Sequence, residues 1–326
     1  MIATASLRSI LTRKIFPVHC RFLSLASSAE TTEVTHSSKV SEQAAAANDG
    51  KDNNGAGTIY VKGRNNVSTR DQTSVSMPMS FMTGSIAGKK FYKDVTTRLS
   101  DDGNGWTVML DYRTLKSPSK KPLKLPTLGL AKAIAAEWKY QETDGIRPFT
   151  MPLMRLACTA MERVPLTRPK IIQNLMEKFH QDLVFCRSPG NNESECELLE
   201  KQMAKIDPLL EWVEMEFGHK PVVHTCLFGS KQEDELARSI EKRLKQTNDF
   251  ELAAVDALAA SAHSLIIPLG ILHGRLQIEE AVELIRLEED CQIDRYGLVE
   301  GGHDVDIADL QVHISSATVF LGLTER

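Results

Sequence analysis

Apolar residues change their spacing near Pro126, and the change divides the chain. Upstream, "KKFYKDVTTRL" sets Phe91, Val95 and Leu99 among polar residues in a β-branched run, which predicts a strand. The following "SDDGNG" is turn chemistry, and "WTVMLDYR" predicts a second strand. Pro118, Pro122 and Pro126 in "LKSPSKKPLKLP" restrict that stretch to edge strands and turns. Beyond Pro126 the period lengthens. Leu130, Ala131, Ile134, Ala135 and Trp138 fall three or four apart, so "TLGLAKAIAAEWKYQ" reads as an amphipathic helix with Trp138 on its buried stripe.

Helical patterning continues to the end. Pro152 suits an early helical position ahead of "LMRLACTAMERV". Thr167 with Pro169 is expected to open "KIIQNLMEKFHQDLVF", and Asp207 with Pro208 to open "LLEWVEMEFG", which Gly218 closes. Three more helices are expected near 249–273, 277–296 and 304–322. The first is long and apolar, but it contains Asp256, His263 and Pro268. Charges inside a bilayer are costly, so a buried core helix kinked at Pro268 is the expectation. On a wheel of Ile278 to Tyr296, turning about 100° per residue, Glu279, Glu283, Asp290 and Asp294 share the polar side. Glu288 and Glu289 instead fall within or at the rim of the apolar sector. They read either as salt bridges to an arginine such as Arg155, Arg187 or Arg275, or as charged contacts in a protein-binding surface.

Charge alters the picture at the amino terminus. Residues 1–29 hold Arg8, Arg13, Lys14 and Arg21 and no acid, a segment of +4 in a chain of net −4, so the remainder carries −8. A basic, Ser-rich, acid-free segment with Leu, Ile and Phe able to line one helix face is the pattern of a mitochondrial presequence. Residues 30–88 are dominated by small polar residues and read as a disordered linker. The acidic balance of the rest gives no reason to expect nucleic-acid binding. The six cysteines are scattered without a C-x-x-C pair, which argues for reduced thiols over a zinc site or disulfide framework.

Chemical motifs are few. "GSIAGKK" at 84–90 has the wrong spacing for a phosphate loop and lacks its Ser/Thr. "GGHDVD" offers His303, Asp304 and Asp306 as metal ligands, but Asp304 or Asp306 serves equally as the N-cap of the last helix. A hydrolase or metal-dependent enzyme would have to use Glu288, Glu289 and His303.

Taken in order, "KKFYKDV", "LDYRTLKSP", "LAKAIAAEW", "MPLMRLACTAME", "DPLLEWVEMEFG" and "IRLEEDCQIDRYGLVEGGHDVD" resemble the mitochondrial ATP synthase F1 complex assembly factors, the F1-ATPase alpha-subunit assembly chaperone family. The resemblance spans about residues 89–322. It implies an α+β fold: a small β-rich N-terminal domain with a helix (89–163), followed by a larger all-helical domain (164–326). It also implies an ATP-independent chaperone of the matrix that binds unassembled alpha subunit. Neither catalysis nor a cofactor is expected, nor a membrane-integral chain; a monomer is. By family match Glu288 is the expected functional acid, with Glu289 beside it as partner-binding, and Trp138 is structurally critical. Loops 188–200 and 226–251 do not match the family closely, so no function is carried over to them.

Overall fold

The computed structural model describes residues 74–76, 88–225, 231–297 and 303–324. The presequence, the "GSIAGKK" stretch as far as Ala87 and most of the linker lie outside these. Within the linker stretch, Ser74–Ser76 form β1.

A four-stranded sheet has the order β1-β4-β3-β2, with β2 Val95–Leu99, β3 Trp106–Leu110 and β4 Arg113–Lys116. The β2/β3 and β3/β4 pairs are antiparallel, with Thr97 opposite Val108 and Met109 opposite Thr114; β1 runs parallel to β4. The expected turn joins β2 to β3 and holds Gly105 at φ 117°. A side chain there would also come within 3.0 Å of the Leu125 carbonyl oxygen, so the position calls for glycine. The upstream apolar reading needs a correction. The strand starts at Val95, and Phe91 and Leu99 are exposed. Tyr92 is the buried residue, because its hydroxyl finds the Trp138 carbonyl at 2.6 Å.

Helix α1, Leu128–Lys139, is capped by the Thr127 hydroxyl and buries Leu130, Ala131, Ile134, Ala135 and Trp138 against β2 and β3. Next come α2 (Pro152–Cys158) and α3 (Val164–Phe179), joined by one π-helical turn at Thr159–Arg163. Thr167 and Pro169 therefore do not open a helix. They lie inside α3, and the Thr167 hydroxyl donates back to the Arg163 carbonyl. Pro208 likewise opens nothing: α4 runs from Glu193 to Phe217 with Pro208 inside it, capped by Asn192 and closed by Gly218 at φ 76°. A proline is tolerated there because the carbonyl it deprives of a donor belongs to Ala204, on the exposed side, where water can replace it. Much of loop 188–200 and of 226–251 is thus helical, the latter containing α5, Asp234–Gln246.

The expected helix 249–273 is two helices, α6 (Asp249–Ala262) and α7 (Ile266–Leu272). The break lies at His263, in the left-handed region at φ 49°, and not at Pro268. Pro268 is the third residue of α7, where a missing N–H costs no helical bond. The 277–296 segment also breaks. Arg286, at φ −96° and ψ 3°, separates α8 (Ile278–Ile285) from α9 (Leu287–Tyr296). A single helical wheel therefore does not hold across it. The last helix, α10, runs His303–Thr324; Asp304 and Asp306 lie in its first turn and are not its N-cap. One apolar cluster links Val108 and Leu115 of the sheet, Trp138 of α1, Leu258 of α6 and Phe320 of α10. Among the described helices α10 alone is long and apolar enough to cross a membrane, and its inner face is packed into this cluster.

Candidate functional site

The sharp corner between α6 and α7 has a definite cause. Asp182, 2% exposed, accepts the Leu265 N–H (2.7 Å), the Ile266 N–H (3.0 Å) and the Ser264 hydroxyl (2.9 Å) on one oxygen and the Val184 N–H (3.0 Å) on the other. A carboxylate at a helix N-terminus satisfies donors that α7 itself cannot. Burial raises the Asp182 pKa, and these four bonds oppose that rise. The corner forms one wall of a cleft of about 570 Å³, lined also by α4, α8, α9 and α10.

Ile206, Ile267, Leu284 and Leu287 give the cleft an apolar floor, and Glu288, Glu289, His303, Asp306, Asp309 and His313 line its polar parts. Glu288 is exposed and accepts from the Gln202 side-chain amide at 3.1 Å. The other end of that buried amide accepts the Ser188 N–H at 2.8 Å, so Gln202 is held at both ends. Glu289 is half-buried, which raises its pKa; Arg286 and His303 oppose the rise. The cation against Glu289 is Arg286, at 3.8 Å, which also pairs with Asp290. Arg187, one of the arginines expected to meet these acids, is instead spent on Asp207 (2.8 Å) and the Val184 and Cys186 carbonyls.

The structure therefore gathers Glu288, Glu289 and His303 around one cleft. Among the described residues no group of three or more His, Cys, Asp or Glu side chains is placed to hold a metal ion. Trp138 lies elsewhere. It is 1% exposed, edge-on to Tyr92 with ring centroids 5.7 Å apart. Its neighbour Glu137 accepts the Leu153 and Met154 N–H groups at 2.8 and 2.9 Å, capping α2. Burial pushes the Glu137 carboxyl up to about 7. Asp182, Gln202 and Arg286 shape the cleft but went unnoticed in the sequence. The partners of Asp182 and Gln202 are far away along the chain or on the backbone, where no local spacing marks them. Arg286, by contrast, pairs at i+3 and i+4 with Glu289 and Asp290, a local spacing that could have been read.

Comparison with known proteins fits this architecture. Residues 89–214 match the family model described as ATP12 chaperone protein. The mitochondrial protein atp12 of Schizosaccharomyces pombe is 29% identical over 71% of this chain and 81% of its own length. Mitochondrial ATP12 of Saccharomyces cerevisiae is 20% identical over 72% and 84% respectively. The crystal structure of Atp12 from Paracoccus denitrificans superposes with a TM-score of 0.66 at 28% identity, covering 73% of this chain and 99% of that one. A small sheet backed by a helical array is thus a fold shared with Atp12, an assembly chaperone. The chain resembles ATP12 chaperone proteins in both sequence and fold, and this supports an ATP synthase assembly factor.

Proposed function

We propose that this chain is an ATP-independent chaperone of the mitochondrial matrix. It binds the unassembled alpha subunit of F1-ATPase as a monomer, without cofactor or catalysis, and promotes assembly of the catalytic head. The observation that carries the reading is the match to mitochondrial ATP12 proteins over most of the chain. The cleft supports it: its apolar floor suits an unassembled subunit's exposed interface, and exposed Glu288 and half-buried Glu289 lend orientation and selectivity. A subunit lacking its neighbour exposes apolar surface and aggregates, so a protein that covers it and later releases it needs no energy source of its own. The test is a pull-down from mitochondrial matrix with the mature chain as bait. Alpha subunit should be the main protein captured. Capture of the intact synthase instead would make the chain a structural subunit.

A second reading has one observation in its favour. Glu288, Glu289 and His303 line the same cleft, and Glu289 is pushed toward protonation by burial. A hydrolase built on them still wants a nucleophile or a metal. Saturable turnover lost in Glu289→Gln would establish it.

A further inference from the structure

Helix α10 has two apolar faces. The inner one, with Ile314, Ala317, Phe320 and Leu321, is packed in the core. The outer one is open: Val305, Val312 and Val319 are 66%, 50% and 44% exposed. They recur every seven residues, and Ala308, Ser315 and Gly322 alternate with them at the intervening positions of the heptad. At about 100° per residue this seam points roughly opposite the inner face. β-branched residues alternating with small ones make the surface against which a second helix packs closely. An ideal Cβ placed on Gly322 meets nothing within 4 Å, so the far end of the seam opens onto free space.

Charge indicates what covers it. In projection Asp304 and Asp309 flank the seam near its amino-terminal end, and Asp309, like Asp306, also borders the cleft. Asp309 is exposed and lies 3.3 Å from His313, the one titratable base beside it. From His303 to Thr324 there is no Lys or Arg. A helix lying on an anionic bilayer carries cations on its polar face, so this pattern opposes a lipid occupant despite the length and hydropathy of α10. A second copy of α10 would bring acids and no cation. A partner helix running antiparallel, with Lys or Arg in its last turn, meets Asp304 and Asp309 in the orientation that helix dipoles also favour.

We infer that the outer seam of α10 is a second docking surface for the client, occupied by an apolar helix that ends in basic residues. The identity of that client as alpha subunit rests on the function proposed above; the chemistry of the seam does not. Two measurements separate them. The first uses a synthetic 21-residue helical peptide with a Leu/Ala heptad seam and lysines in its last turn, titrated into the full chain. It should bind, and the same peptide with glutamates there should bind at least tenfold more weakly. Val312→Glu with Val319→Glu should lower affinity for the lysine peptide by tenfold or more, and the Ile pair at the same positions should restore it. Both positions are exposed, and Glu is the better helix former, so the melting temperature should not fall. Failure of the lysine peptide to bind, or equal binding by the Glu pair, overturns the inference. So does flotation on anionic vesicles, or self-association, that the Glu pair abolishes. The second measurement is aggregation of isolated alpha subunit, where the Glu pair should need at least tenfold more chaperone for half suppression. If the wild-type chain leaves alpha subunit unprotected while the peptide result holds, the named client is wrong and the seam stands.

Discussion

Helices α1 and α9 are of similar length, 12 and 10 residues, but they are held in opposite ways. α1 buries five residues, including Trp138, and lies across two strands. α9, which carries Glu288 and Glu289, buries only Leu287. Its attachment to α4 is polar. Lys201 pairs with Asp294 at 3.5 Å, Arg295 with Glu197 at 3.3 Å, and Gln202 holds Glu288. Burial of a large aromatic contributes several kcal/mol, whereas exposed ion pairs contribute about 0.2–1 kcal/mol each. Residues of the two helices are therefore read differently. A change in α1 acts through the fold, and under the proposed function a change in α9 acts through what the surface binds.

Trp138→Arg gives the largest effect, because it sets a charge in a site with 1% exposure beside Tyr92. A cost of roughly several kcal/mol is comparable with the whole stability of a domain. Soluble yield should collapse, and a purified variant with an unchanged melting temperature would break the contrast. Glu137, next to it, gives the packed region a pH signature. Its folded pKa of about 7 is raised from 4.5, so the folded state holds the proton more tightly. The resulting stabilisation is complete below the unfolded value near 4.5 and disappears as pH rises through about 7, amounting to about 3 kcal/mol at most. Urea denaturation at pH 5 and pH 8 should show that loss in the wild type and not in Glu137→Gln.

Smaller effects belong to α9. Salt near 1 M cuts the screening length to about 3 Å. Amide exchange in 287–296 should then quicken several-fold while the global melting temperature changes little; equal changes in α1 would erase the distinction. Smallest for stability is Glu288→Lys, expected to cost about 1 kcal/mol because the side chain is exposed and only the Gln202 amide loses its acceptor. Its effect should appear in aggregation of alpha subunit, where charge reversal weakens protection and Glu288→Gln weakens it less. A Glu288→Lys chain that melts early would move the acid from the binding surface to the fold.

Periodicity made α1 legible with its buried face, and Gly218 marked the end of α4 correctly. Breaks were harder, since their causes are tertiary. The α6–α7 corner is imposed by Asp182, some eighty residues upstream, so Pro268 was a misleading local signal. The interruption at Arg286 coincides with a side chain 5% exposed that reaches forward to Glu289 and Asp290. Prolines 169 and 208 looked like helix starts because sequence cannot show on which side a freed carbonyl lies. Glu288 and Glu289 were noticed as acids out of place on a wheel, although the helix is not continuous there. Their common cleft with His303 emerged only from packing.

The Asp182 corner also bears on how a chain of this fold can diverge. One carboxylate fixes the wall of the cleft by gripping consecutive backbone amides, those of Leu265 and Ile266, together with the Ser264 hydroxyl. Main-chain donors are supplied by every residue except proline. The residues at 265 and 266 can therefore drift among apolar types while the bend keeps its shape, but the position of Asp182 tolerates no such exchange. Under the proposed function, a cleft framed in this way can change its lining to suit a changing client and still keep its outline.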